Sequence, residues 1–172
     1  MQRVTHHSYS AIRRELTFDV AYEAFTHELE RSLGIMDLNV AGRMATRPPQ
    51  ELRDHLQSFA GSSGFALFQK IDHGGLLSVL AGVDTRAATY VFGNGLIALE
   101  MTKVDPRAGL YVPLRMFVRA LGPLEIEVTY DVPSTLLDQL ASSEITAVAE
   151  SLDRKVERMV SDAVNRANRL AA

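Results

Sequence analysis

The chain has 172 residues, 47% of them apolar and 23% charged, with no cysteine and a formal net charge of −3. That composition fits one ordinary globular domain and excludes disordered or collagen-like readings. Without cysteine there are no disulfides, thiolate nucleophiles, iron–sulfur clusters or cysteine zinc sites, and a chain that gripped nucleic acid phosphates would be expected to be basic.

Further expectations follow from the apolar pattern. Met1–Phe18 carries Arg3, Arg13, Arg14 and Glu15, so no signal peptide is expected. The longest low-charge apolar stretch, Gly74–Val83, is ten residues, against about 20 for a membrane span. A cytoplasmic protein without a transmembrane segment is the resulting expectation.

In chain order, Tyr9–Phe18 reads as a strand. Ile12, Leu16 and Phe18 alternate with charged and polar residues. Arg14 interrupts the apolar face and points to an edge position. His6 and His7 read as a solvated terminus. Asp19 is placed to cap a helix whose stripe is Ala21, Ala24, Phe25, Leu29 and Leu33, with Gly34 as its C′ residue. Glu23 and His27 lie four apart but off that stripe, and read as a solvated face. Ile35–Arg47 has no period and reads as a loop.

Pro48 and Pro49 suit the first turn of a second helix, with Leu52, Leu56 and Phe59 facing inward. Glu51 and His55 repeat the spacing of four, again as a solvated pair. Gly61-Ser-Ser-Gly64 closes this helix. The loop has the composition of a phosphate loop, but no Lys follows and the order is helix then strand, so that reading is set aside.

Phe65–Asp72 alternates as a strand, His73-Gly74-Gly75 turns the chain, and Leu76–Leu80 is a short apolar segment of one or two helical turns. Ala87–Phe92 reads as a strand buried on both faces. Asn94 caps a helix over Leu96–Lys103, and Asp105-Pro106 stops it. Val112–Leu121 and Leu124–Tyr130 form a hairpin around Gly122-Pro123, with Pro113 marking an edge or bulge. Glu125, Glu127 and Thr129 share one strand face, which is expected to meet water. Pro133 opens a short helix. Ser142 or Ser143 caps the last helix, about Glu144–Leu170, whose apolar stripe is Ile145, Val148, Leu152, Val156, Met159, Ala163, Ala167 and Leu170. Glu150–Arg154 and Asp162–Arg166 are i, i+4 pairs worth ~0.3 kcal/mol each. The helix reads as core cover or, in the sharper reading, as a dimer contact.

The segments IDHGG, YVFGN, VDPRAGLYVPLRMFV and the strand ending in Tyr130-Asp131 resemble the DUF302 family, small bacterial and archaeal domains without an assigned function. TFDVAYEAFTHELERSLG is similar to that family's first helix. The resemblance covers Thr17–Leu137, with 35–64 as an insertion and the C-terminal helix, 144–170, outside it. An alternative alignment takes Pro49–Gly61 as the family helix. Gly95 departs from the pattern, which commonly has Pro after FGN. The resemblance implies a single α+β domain: a two-layer, mostly antiparallel sheet with helices packed on it, plus the long C-terminal helix. It also implies a tendency to homodimerise, and no reaction.

The polar residues shared with the family are Asp72, His73, Asn94, Asp105 and Arg115. A helix starting at Asn94 offers free amides to an anion. Arg115 offers a planar fork for a carboxylate or phosphate, and His73 an acid or base near neutral pH. Plain roles stand beside these: Asn94 as a cap, Asp72 and His73 as turn residues, Asp105 as a helix stop, Arg115 on a wet sheet face.

Nucleophile elbow, Walker loop, dinucleotide fingerprint and HExxH are all missing from the sequence, so no cofactor or metal is expected. Three readings remain. The first is a homodimeric binding domain for a small anionic or amphipathic molecule. The second is an interaction module acting through the C-terminal helix. The third is an enzyme using Asp72 and His73 as an acid–base pair.

Overall fold

The computed structural model describes residues 2–37 and 48–171. Six strands form one sheet: β1 (Arg13–Phe18), β2 (Gly34–Ile35), β3 (Ala66–Asp72), β4 (Ala87–Gly93), β5 (Leu114–Gly122) and β6 (Glu125–Asp131). Their spatial order is β1-β6-β5-β4-β3-β2, antiparallel throughout except for the parallel β2–β3 pair. The helices are α1 (Tyr22–Ser32), α2 (Pro49–Ser58), α3 (His73–Ala81), α4 (Gly95–Thr102), α5 (Pro133–Leu137) and α6 (Ser143–Ala171). This is the expected α+β architecture, a mostly antiparallel sheet with helices packed on it and a long helix at the C-terminus.

Strand alternation builds the core. Ile126, Val128 and Tyr130 of β6, Met116 and Val118 of β5, and Tyr90 and Phe92 of β4 all turn to one face and are buried. Against them α1 lays Phe25 and Leu29, and α6 lays Ile145, Ala149, Leu152, Val156, Val160 and Ala163. The amphipathic stripe of α6 is thus spent on the domain's own core. Leu170 is the exception, 68% exposed beyond the last packed turn. Glu150–Arg154 and Asp162–Arg166 do not close as ion pairs among the described residues.

The edge position of β1 follows from Arg14. Its side chain lies on the inner face, where a central strand would bury it unpaired. At the edge it reaches Glu157 of α6 and the Tyr130 hydroxyl. Pairing in β1 begins at Arg13, four residues later than the alternation predicts. Before it, Ile12 bonds outside the ladder, its N–H to the Thr135 hydroxyl and its carbonyl from the Val132 N–H.

Several local expectations are corrected. Asp19 does not cap α1, because the N-cap is Ala21 and Asp19 lies two residues short of the helix end. Gly34 is not a left-handed C′ residue. It pairs with Ala66 in β2, and a Cβ there would overlap the Phe59 carbonyl oxygen. Gly61 packs against it from the other side, where a Cβ would strike the Gly34 nitrogen and the Ser32 carbonyl. Two backbones therefore pass without room for a side chain, which is what both glycines supply. Ile35, expected in a loop, belongs to β2; 38–47, the rest of that expected loop apart from Met36 and Asp37, lie outside the described residues.

α2 begins at Pro49 as expected, but Leu52, Leu56 and Phe59 are only half-buried. His73-Gly74-Gly75 is not a free turn. It is the first turn of α3, capped by the Asp72 carboxylate, which accepts from the Gly75 N–H at 2.9 Å. Pro113 precedes β5 and so removes no ladder bond from that central strand. Ser142 caps α6 through its hydroxyl.

Candidate functional site

The family-matching polar residues do not converge on one site. Asp72 and His73 stand at the end of β3 opposite Ala88, while Asn94 follows Gly93 at the far end of β4. Five strand residues separate the two ends, roughly 17 Å at strand rise. Arg115 lies opposite Val91 on the outer sheet face and is exposed.

Each of the five already has local work or solvent. Asn94 is the N-cap of α4. Its Oδ1 accepts from the Leu96 and Ile97 N–H groups at 2.9 and 3.2 Å, and its Nδ2 donates to the Gly64 carbonyl at 2.9 Å. The amide ties the start of α4 to the loop before β3. Asp105 caps the short 3₁₀ turn Pro106–Leu110 and holds Arg107 through both carboxylate oxygens. That guanidinium keeps the Asp105 carboxyl below the usual range. His73 Nε2 lies 2.9 Å from the Thr89 hydroxyl, with its ring 6.1 Å from that of Phe117. Asp72 accepts from the Gly75 amide and His73 meets Thr89, so among the described residues the two side chains do not bond to each other as an acid–base pair would.

The outer face is a second distinct surface. Opposite charges meet there. Arg119 grips Glu127 with two bonds of 2.8 and 3.1 Å, and Arg13 bonds Asp131 at 3.0 Å. The Arg119 guanidinium lowers the Glu127 carboxyl from its ordinary value. Glu127, expected to stand idle in solvent, is therefore paired. Among these charges lie Val91 and Phe117, both half-buried.

On the inner face, burial and the Glu30 carboxylate hold the Tyr90 proton firmly, and burial pushes Tyr22 up to about 12. Tyr90 donates to Glu30 at 2.8 Å, and Lys70 reaches the same carboxylate at 2.7 Å. These are packing contacts of α1 on the sheet.

Between sheet and helices lies an apolar pocket, with a cavity of about 220 Å³, whose lining includes Asn94 but none of the other four polar residues that the sequence singled out. Phe65 and Phe68 enter from β3 and its start, Ile97 and Met101 from α4, Pro113 and Leu114 from the start of β5, and Leu152 from α6. A β-bulge in β3 leaves Phe68 out of register between Leu67 and Gln69, and Phe68 joins the lining. Gly93 packs beside Pro113, at a distance a Cβ would also tolerate. Asn94 and Ile97 also line an adjoining polar cleft that carries Arg53 and Lys103. The FGN segment was the available signal, since it places a glycine, a cap and a helix start beside apolar strand ends.

Among the described residues, no group of acidic or histidine side chains has the arrangement of a metal site, and no helix is long and apolar enough to cross a membrane. No curated protein matches the chain. In structure it is similar to an uncharacterised conserved DUF302 protein from Bacillus stearothermophilus. The TM-score is 0.60 at 11% identity, covering 88% of this chain and 97% of that one. That likeness shows the fold. The sequence model of the family, described as a domain of unknown function, matches residues 43–163, from before α2 into α6. The chain therefore belongs to the DUF302 family.

Proposed function

We propose that this protein is a self-associating binding domain whose apolar pocket takes a small amphipathic molecule. The observation that carries the reading is the pocket itself. It is lined almost wholly by carbon, it lies between sheet and helices, and its Asn94–Ile97 wall adjoins a cleft bearing Arg53 and Lys103. Small-ligand sites have this mixture of apolar walls and few polar groups. An apolar body in the pocket would place an anionic head beside those cations. Asn94 acts here by holding α4 and the 61–64 loop in place, since its amide is already bonded on both sides.

Self-association is supported by α3. From Gly74 to Val83 there is no charge, and only Gly74 is buried. Leu76, Val79 and Leu80 are 60%, 81% and 80% exposed. A helix apolar on all sides is normally enclosed. The occupant is a second copy of this chain, because the outer sheet face beside α3 carries both signs of charge. Arg119–Glu127 and Arg13–Asp131 are already paired within each copy, which leaves the exposed Arg115 as a charge for a two-fold contact to satisfy.

The test is native mass spectrometry of freshly purified full-length protein beside an Ala98→Phe variant that fills the pocket. The expected result is a dimer with a reproducible added mass, and the same dimer without it in the variant. An added mass that persists in Ala98→Phe, or none in wild type after incubation with a medium-chain fatty acid, overturns the pocket reading. A monomer overturns the self-association.

A further inference from the structure

We infer a separate phosphate-binding cleft between the Gly61–Gly64 loop and the middle of α6, suited to a small phosphate monoester. Lys155, Arg158 and Arg166 fall at spacings of three and eight along α6 and line one cleft of about 240 Å³ with Ser62, Ser63 and Gly64. None of the three cations has an ion-pair partner among the described residues. Asp162 alone contributes negative charge to the lining, so the cleft carries a net positive charge on a chain whose formal charge is −3.

The loop is held by hydrogen bonds to the end of α1 and within itself. The Ser63 amide and hydroxyl both donate to the Ser32 carbonyl, at 3.0 and 2.8 Å, and the Gly64 amide donates to Gly61. Gly64 has φ +80°, and Lys155 Nζ lies 3.2 Å from where its Cβ would stand, so a side chain there would crowd the ammonium.

The same loop lacks a following Lys in the sequence, which argued against phosphate. In three dimensions the lysine comes from α6 instead. The loop's amides are largely bonded internally, so the anion would be held by side chains: two guanidinium forks, one ammonium and the Ser62 hydroxyl. The cleft is small and the chain acidic overall, which favours a compact phosphorylated molecule over an extended polyanion. Nothing in this inference uses the apolar pocket. Lys155 also borders the cleft beside Asn94, so the test leaves it unchanged.

The experiment is a ¹H–¹⁵N NMR titration of the full chain with inorganic phosphate and with phenyl phosphate, each against chloride at equal ionic strength. Saturable shifts centred on Ser62, Ser63 and Gly64 are expected, weakened at least tenfold in Arg158→Gln/Arg166→Gln. Arg158 is exposed and Arg166 half-buried, and an unchanged spectrum elsewhere verifies the fold of that variant. Tighter binding of phenyl phosphate supports a phosphorylated small molecule as the source, and tighter binding of inorganic phosphate supports the free ion. Shifts that chloride reproduces, shifts scattered over the surface, or equal binding by the double variant would overturn the inference.

Discussion

Helices α3 and α6 are both rich in apolar residues, yet they meet opposite fates. In α6 the apolar residues recur every three or four positions, and the stripe is buried on α1 and the sheet. In α3 they surround the helix, and most stay in solvent. Periodicity identifies a helix that its own domain can satisfy. An apolar run without periodicity, too short to span a membrane, has no single face to bury and is left for another surface. The contrast moves the expected contact between copies from the C-terminal helix to α3.

The largest effect should come from charging the satisfied helix. Val156→Asp puts an unpaired carboxylate into the core at a cost of several kcal/mol, and the variant should show no cooperative thermal transition. Removal of 144–172 should do the same. If either left a folded domain, α6 would be an appendage after all. Ile145→Ala should cost about 2–5 kcal/mol, read as a lower urea midpoint at unchanged slope.

Next comes Asn94→Ala, which should lose ~1 kcal/mol through the α4 cap. Asn94→Asp should recover part of that, since the carboxylate still accepts from Leu96 and Ile97 while the donor to Gly64 is gone. Equal losses in the two variants would mean that the tie to Gly64, rather than the cap, carries the effect. In α3, Val79→Glu should change the stability of the isolated domain by no more than ~0.5 kcal/mol, because the side chain is exposed. A large loss at this position would show α3 to be packed within its own chain.

The smallest effect concerns the outer face. Glu127 has a native pKa held below its unfolded value by Arg119. The stability contributed by the pair is therefore present above the ordinary carboxylate range and is lost as pH falls through the lowered native value. Arg119→Gln should lower the thermal midpoint slightly at neutral pH and converge with wild type in acid. A constant gap at every pH would mean the pair contributes by packing rather than charge.

Residues with a local signature were legible in the sequence. The β5–β6 hairpin followed from Leu124–Tyr130 alternating beside Gly122-Pro123, and the edge position of β1 from one arginine on an apolar face. β2 was not legible, because two residues cannot show a period. Gly34 and Gly61 read as helix endings, but the pressure on them comes from one another's backbones, nearly 30 residues apart in sequence. The candidate sites were hidden for the same reason. The pocket draws its walls from β3, β4, α4, β5 and α6, and the basic cleft joins a loop to a helix about 90 residues later. The five polar residues that sequence did single out sit at caps, a strand end and a wet sheet face, where local backbone needs alone give them a role.

The most direct test of the contrast between the two helices is sedimentation velocity of the full chain over a wide concentration range, wild type beside Leu80→Glu. A dimer for wild type and a monomer with an unchanged thermal transition for the variant is the predicted result. A wild-type monomer at every concentration, or a dimer that Leu80→Glu leaves intact, would contradict the assignment of α3 as the surface where two copies meet.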